Sequence, residues 1–175
     1  MMSFDTYLFD LDGTLADTVA DLTTCVNLLR GEIGLEPMGT EDIRVRVGDG
    51  ARLLLQRCLP EDLFRGKLLE RFLVLYGEHQ CDTTRLYPGM ADFLAAHKDE
   101  KLAVITNKPF HLSRLLLADL GIGHYFSLLF GAESCTTRKP DPGPVLEALR
   151  RLGAAPERAV MIGDHHTDLR AGNAA

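Results

Sequence analysis

Tryptophan is absent from this 175-residue chain and only four residues are cysteine. Cys25, Cys58, Cys81 and Cys135 stand far apart, without metal-type spacing or the density of a disulfide framework. That usage fits a reducing compartment, and a cytoplasmic location is the expectation. No apolar run approaches the length needed to cross a bilayer. The first residues, Met-Met-Ser-Phe-Asp, show no basic segment leading into an apolar core, so no export signal is expected. Positive charge is also scarce. Lys and Arg number 19 against 25 Asp and Glu, a net charge of -6. Nucleic-acid partners need clustered cations and are therefore not expected.

What is present is an ordinary globular mix, 46% hydrophobic and 25% charged, long enough for one core with a smaller inserted unit. The stretch that organises the chain is Tyr-Leu-Phe-Asp-Leu-Asp-Gly-Thr-Leu-Ala-Asp-Thr, residues 7–18. Its apolar start is short enough for a buried strand, and the strand ends in two carboxylates separated by one leucine. An extended backbone places Asp10 and Asp12 on one side. Two anions at one site require a cation, a shared proton or separate roles.

Downstream, Asp17 or Thr18 is placed to cap a helix whose apolar stripe runs Leu22, Cys25, Val26, Leu29, Ile33. A second helix starts near Thr40, and a third apolar segment, Leu53 to Leu59, follows Gly48-Asp49-Gly50. A further helix is expected from Pro60, with a stripe from Leu63 to Tyr76. Residues 19–80 thus form a helical block without a strand signal. From Tyr87-Pro88-Gly89 onward the pattern alternates between helices and short apolar strands, at Leu102 to Ile105, Phe126 to Phe130 and Ala159 to Ile162. Such alternation indicates a parallel sheet, whose sites lie at the carboxyl ends of the strands. Those ends carry Asp10 and Asp12, Thr106 and Asn107, Lys139 in the loop to residue 140, and Asp164 with Asp168.

Four motifs in this order resemble the haloacid dehalogenase-like phosphohydrolase superfamily. They are Asp10-Leu11-Asp12-Gly13-Thr14, the strand-terminal Thr106, Lys139 in Arg-Lys-Pro-Asp-Pro, and Gly163-Asp164-x-x-x-Asp168. The resemblance implies an α/β fold, a Rossmann-like parallel core from residues 1–18 and 81–175 with an inserted helical cap at 19–80. It implies Asp10 as a nucleophile that forms an aspartyl-phosphate and Asp12 as the acid and base. It further implies Mg2+ held by Asp10, Asp164 and the Asp12 carbonyl with support from Asp168, phosphate contacts from Thr106 and Asn107, and charge compensation by Lys139. Within the superfamily the Phe-Asp-Leu-Asp-Gly-Thr-Leu, Thr106-Asn107-Lys108 and Lys139-Pro140-Asp141-Pro142 stretches are most similar to the phosphoglycolate phosphatase group. A magnesium-dependent phosphatase acting on a small phosphorylated metabolite, 2-phosphoglycolate foremost, is the resulting expectation, as a monomer or homodimer free of membrane.

Other readings stay open at this stage. Arg138 and Lys108 are substitutes for Lys139. Arg44, Arg46 and Arg52 near the Gly48-Asp49-Gly50 loop are candidate substrate contacts, and His165 and His166 read as loop residues near the mouth. A sugar-phosphate phosphatase or phosphomutase uses the same motifs, whereas a haloalkanoic acid dehalogenase needs neither Asp12 nor a metal. The chain ends at Ala175 where relatives in the superfamily continue through a further strand and helix, so a sheet short of one edge strand, and a non-catalytic magnesium- or partner-binding fragment, are also expectations.

Overall fold

The computed structural model describes residues 4–175. Its centre is a parallel sheet of β1 (Thr6–Phe9), β4 (Lys101–Ile105), β5 (Leu128–Phe130) and β6 (Ala159–Ile162), in the spatial order β5-β4-β1-β6. These strands are short and apolar because both faces are covered. Leu8, Ala103, Ile105 and Phe130 face α7 (Gly143–Leu152) and α8 (His166–Asn173), packing with Val145, Ala148, Leu149 and Ala171. Phe9, Leu102 and Val104 point the other way, into a cluster with Leu94 of α5 (Met90–Ala96) and Leu116 and Leu117 of α6 (Phe110–Asp119). The alternation of Leu8 with Phe9, and of Leu102 with Ala103, is the period of two made physical.

Register determines which residues meet at the sheet's end. Phe9 lies opposite Val104 on one side and Ile162 on the other, and Ile105 lies opposite Phe130. The residues just beyond these positions therefore emerge along one edge. Among the described residues β6 pairs with β1 alone.

Four helices follow β1: α1 (Val19–Glu32), α2 (Thr40–Arg44), α3 (Ala51–Cys58) and α4 (Gly66–His79). They bury their own cluster, which includes Leu22, Val26, Leu29, Ile43, Leu55, Phe72 and Tyr76 and is joined from the sheet side by Leu112 of α6. The chain leaves and re-enters the sheet region through two segments that pair with each other, β2 (Ala16–Asp17) antiparallel to β3 (Arg85–Leu86). Sequence periodicity gave no warning of this ladder, which is too short to show a pattern.

Two boundaries differ from expectation, and the two residues placed to cap α1 divide that role. The last of these four helices begins at Gly66 rather than Pro60, because residues 60–65 form turns in which Leu63 N and Phe64 N bond back to Pro60 O. Thr18 occupies the cap position of α1 without a side-chain bond, and Asp17 Oδ1 accepts instead from Val19 N at 3.3 Å. The strand expected from Phe126 starts at Leu128, since the chain first makes a helical turn at Gly123–Tyr125.

Candidate active site

β1 delivers Asp10 to the sheet edge with its backbone still in register, Asp10 N donating to Ile162 O at 2.9 Å. Beyond it the chain turns sharply. Gly13 N donates to Ala16 O at 2.9 Å, and Gly13 takes φ +83° in the left-handed region. A β-carbon there would lie 2.7 Å from Asp164 Cγ, so only glycine lets the turn approach that carboxylate. Thr14 completes the contact, its hydroxyl donating to Asp164 Oδ1 at 3.0 Å.

Asp10, Asp164 and Asp168 each present an oxygen within 4.8 Å of the others. Asp10 and Asp168 are buried and Asp164 is exposed. Between the buried pair sits Lys139, 2.5 Å from Asp168 Oδ1 and 2.9 Å from Asp10 Oδ1. The lysine's hydrogen bond goes to Asp168, and Asp10 Oδ1 is left buried without one. Burial pushes the Asp10 carboxyl up to about 6; Lys139 pulls it down, and Asp168 and Asp12 add to the rise. Asp168 also closes a reciprocal cap on α8, its Oδ2 accepting from His165 N at 3.0 Å.

Asp12 has a lysine of its own. Lys108 Nζ lies 3.0 and 3.3 Å from the two Asp12 oxygens and donates to Tyr76 Oη at 2.6 Å. Of the two substitutes for Lys139, then, Lys108 serves the other acid, and Arg138 is turned away, donating to Ala132 O at 2.9 Å. The Lys108–Asp12 pair was missed in the sequence, although a lysine two residues past a strand end was visible in Thr106-Asn107-Lys108. Thr106 N continues the sheet ladder to Phe130 O at 2.9 Å, and its hydroxyl accepts from Lys108 N at 3.2 Å. The Asn107 amide is engaged structurally, donating to Lys139 O at 3.0 Å and to Gly48 O at 3.1 Å.

Asp10, Asp12, Thr106, Asn107 and Lys108 line one cavity, closed from the helical side by Leu22, Val47, Leu54, Phe72 and Tyr76. The candidate arginines divide. Arg44 pairs with Glu41 at 3.2 Å and lines a neighbouring opening with Asp12, Tyr87 and Asp164. Arg46 bonds Arg57 O and Asp42 O, and Arg52 lies over the Phe64 ring at 5.8 Å, so both serve the helical unit itself. His165 is the cap residue of α8 and His166 its first residue, where the sequence suggested loop.

The family model described as haloacid dehalogenase-like hydrolase matches residues 7–175. The chain belongs to the haloacid dehalogenase-like hydrolase family. Its kinship lies with the phosphoric monoester hydrolases of that family. Curated relatives named phosphoglycolate phosphatase are 37% identical in Nitrosococcus oceani and 38% in Aquifex aeolicus, each over 96% of this chain and 79% of its own length. The crystal structure of a predicted phosphoglycolate phosphatase from Haemophilus somnus superposes with a TM-score of 0.93 at 32% identity, covering 100% of this chain and 83% of that one. No helix among the described residues is long and apolar enough to cross a membrane.

Proposed function

We propose that this hydrolase is a magnesium-dependent phosphatase of small phosphomonoesters, with 2-phosphoglycolate as its substrate. The observation that carries the reading is Asp10, a buried carboxylate whose Oδ1 lacks a hydrogen bond while Lys139 stands 2.9 Å away. A structural acid would be saturated; an oxygen held by one ammonium and no hydrogen bond keeps lone-pair capacity for an electrophile or a cation.

In this reading an Asp10 oxygen attacks phosphorus as the bond to the alkoxide breaks, and Asp12 gives the departing alkoxide its proton. Water then attacks the aspartyl-phosphate, its proton passing to Asp12, and Asp10 returns as carboxylate with inorganic phosphate released. Lys108 keeps Asp12 oriented for both transfers. Thr106 and the Asn107 backbone hold phosphoryl oxygens, and Lys139 offsets the charge gathered on Asp10 and the phosphoryl group. A cluster of three carboxylates suits a hard, oxygen-seeking cation, and Asp10 and Asp164 with the Asp12 carbonyl would hold Mg2+, supported by Asp168. Bound there, magnesium neutralises phosphate charge and fixes its orientation.

Residues 19–80 act as a cap over a core of 1–18 and 81–175, excluding water when closed. Size and polarity favour phosphoglycolate over a sugar phosphate. The cap wall offers the apolar Leu22, Val47, Leu54 and Phe72, its Tyr76 hydroxyl is engaged by Lys108, and among the lining residues Lys108 supplies a cation that can meet a small carboxylate. The names of the relatives point the same way. The test is phosphate release from 2-phosphoglycolate, sugar phosphates, phosphoserine and pyrophosphate, with magnesium or with EDTA, for wild type and Asp10→Asn. Magnesium-dependent release from 2-phosphoglycolate, lost in the variant, supports the reading; release that survives Asp10→Asn or EDTA overturns it.

A further inference from the structure

A second group of metal-ligating side chains stands where the helical unit meets the sheet. Asp49 comes from the loop between α2 and α3, and His165 and His166 from the junction of β6 with α8. One oxygen of Asp49 and one nitrogen of each imidazole lie within 4.8 Å of one another. Asp49 and His165 are half-buried and His166 is exposed, so the cluster is reachable from solvent yet not free to wander.

Each inner ligand is already oriented by a partner. His165 Nδ1 meets Thr167 Oγ1 at 3.0 Å, which leaves Nε2 available. Asp49 Oδ2 pairs with Arg57 at 2.6 Å, which leaves Oδ1. Ligands held by outer bonds in this manner are what metal sites use to fix ring and carboxylate direction. The Arg57 charge opposes a cation and keeps affinity below that of a dedicated structural site. Two imidazoles and one carboxylate suit zinc and its transition-metal neighbours, with a fourth position left for water. Magnesium, which favours oxygen ligands, is not served by this set.

The position matters as much as the chemistry. Gly48 abuts the His165 ring so closely that a β-carbon would fall 2.7 Å from it, and Gly48 O accepts from Asn107 Nδ2 at 3.1 Å. The loop bearing Asp49 therefore already rests on the sheet side, beside the cavity. We infer that Asp49, His165 and His166 form a site for a divalent cation of the zinc class that fastens the helical unit to the core and thereby slows turnover. The inhibitory part rests on the phosphatase reading; the binding part does not.

Zinc chloride supplied to the full chain in excess magnesium, with a chromophoric chelator as competitor, tests the binding part without substrate. One zinc equivalent that magnesium does not displace is expected, with affinity falling more than about tenfold in Asp49→Ala and in His166→Ala and unchanged in Asp164→Asn. Full affinity in either of the first two variants overturns the assignment and places the zinc elsewhere, the half-buried Cys81 and Cys135 included. Loss in Asp164→Asn overturns it too, because the zinc then occupies the magnesium carboxylates. If turnover is observed, zinc inhibition in the presence of magnesium is expected in wild type and absent in His166→Ala.

Discussion

Asp10 and Asp21 are both buried acids, 5% and 2% exposed, and the protein treats them in opposite ways. Asp21, in the first turn of α1, accepts from four donors of Thr83 and Thr84, two hydroxyls and two backbone N–H groups, the Thr83 N–H shared between both oxygens, at 2.5–3.0 Å. Burial alone would raise its carboxyl, but these bonds outweigh burial and hold it below the usual range. Asp10 has the burial without the saturation, and its carboxyl rises to about 6. The two positions differ in purpose. Asp21 ties the start of the helical unit to the segment by which the chain returns from it, directly beside the β2–β3 ladder, so it stabilises that junction. Asp10, the attacking group of the proposed mechanism, is left unsaturated at a cost in stability.

The strongest way to break this comparison is exchange at the two sites. Asp10→Asn is expected to lower phosphatase turnover more than about 1,000-fold, since the attacking group is gone. In EDTA at pH 8 the same variant is expected to be more stable than wild type, by about 2 kcal/mol, because a buried charge has been removed. Asp21→Ala is expected to do the reverse, costing about 3 kcal/mol through orphaned N–H groups at Thr83 and Thr84, with turnover of the folded fraction retained. Urea denaturation alongside phosphate release separates the two. A destabilised Asp10→Asn would show that Lys139 depends on Asp10 more than on Asp168.

The acids should also separate by pH. A lowered folded pKa makes Asp21 stabilising above the unfolded value of about 3.9, a contribution lost as pH falls through its folded value. A raised one makes Asp10 favour the fold below about 3.9, a contribution lost as pH rises through about 6 in the metal-free protein. Asp21→Asn should therefore flatten the acid limb of a stability profile, and Asp10→Asn its descent between pH 4 and 6. Profiles of EDTA-treated protein check both.

How much of this contrast was legible in the sequence depends on how local its causes are. Asp10 declared itself, because a short apolar strand running into Asp-x-Asp-Gly-Thr is a local pattern, and the register of Phe9 with Val104 and Ile162 then brought Thr106 and Asp164 alongside. Helix α1 and strands β1, β4 and β6 fell where apolar spacing indicated. Asp21 was invisible: it looks like a first-turn acid, and its partners lie 62 and 63 residues away. Lys108 was visible as a residue but not as the partner of Asp12, 96 positions distant. The start of α4 at Gly66 was misread because leucine and phenylalanine at 63 and 64 extend the helical stripe into turns, where apolar spacing carries no information about backbone hydrogen bonds.

Lys108, the partner of Asp12, should have a smaller and selective effect. Lys108→Met is expected to reduce kcat/KM for 2-phosphoglycolate about tenfold more than for a phosphomonoester without a carboxylate such as ethyl phosphate, the difference reporting one lost contact to the substrate carboxylate. Equal losses on both substrates would assign the lysine to Asp12 alone.

The smallest expected effect isolates burial from hydrogen-bond number. Glu32 accepts from Arg71 at 3.0, 3.0 and 2.6 Å, and its carboxyl, like that of Asp21, is held below the usual range, here by the arginine's hydrogen bonds. It differs in being exposed, where water replaces a lost partner and salt screens the pair. Glu32→Gln is accordingly expected to leave the melting temperature unchanged within error, at low salt and at high. If it instead destabilised the protein as much as Asp21→Asn, the number of hydrogen bonds rather than their seclusion from water would govern both sites. Asp10 would then no longer stand apart from Asp21 by environment, and its missing bond would have to be explained by the local turn at Gly13 alone.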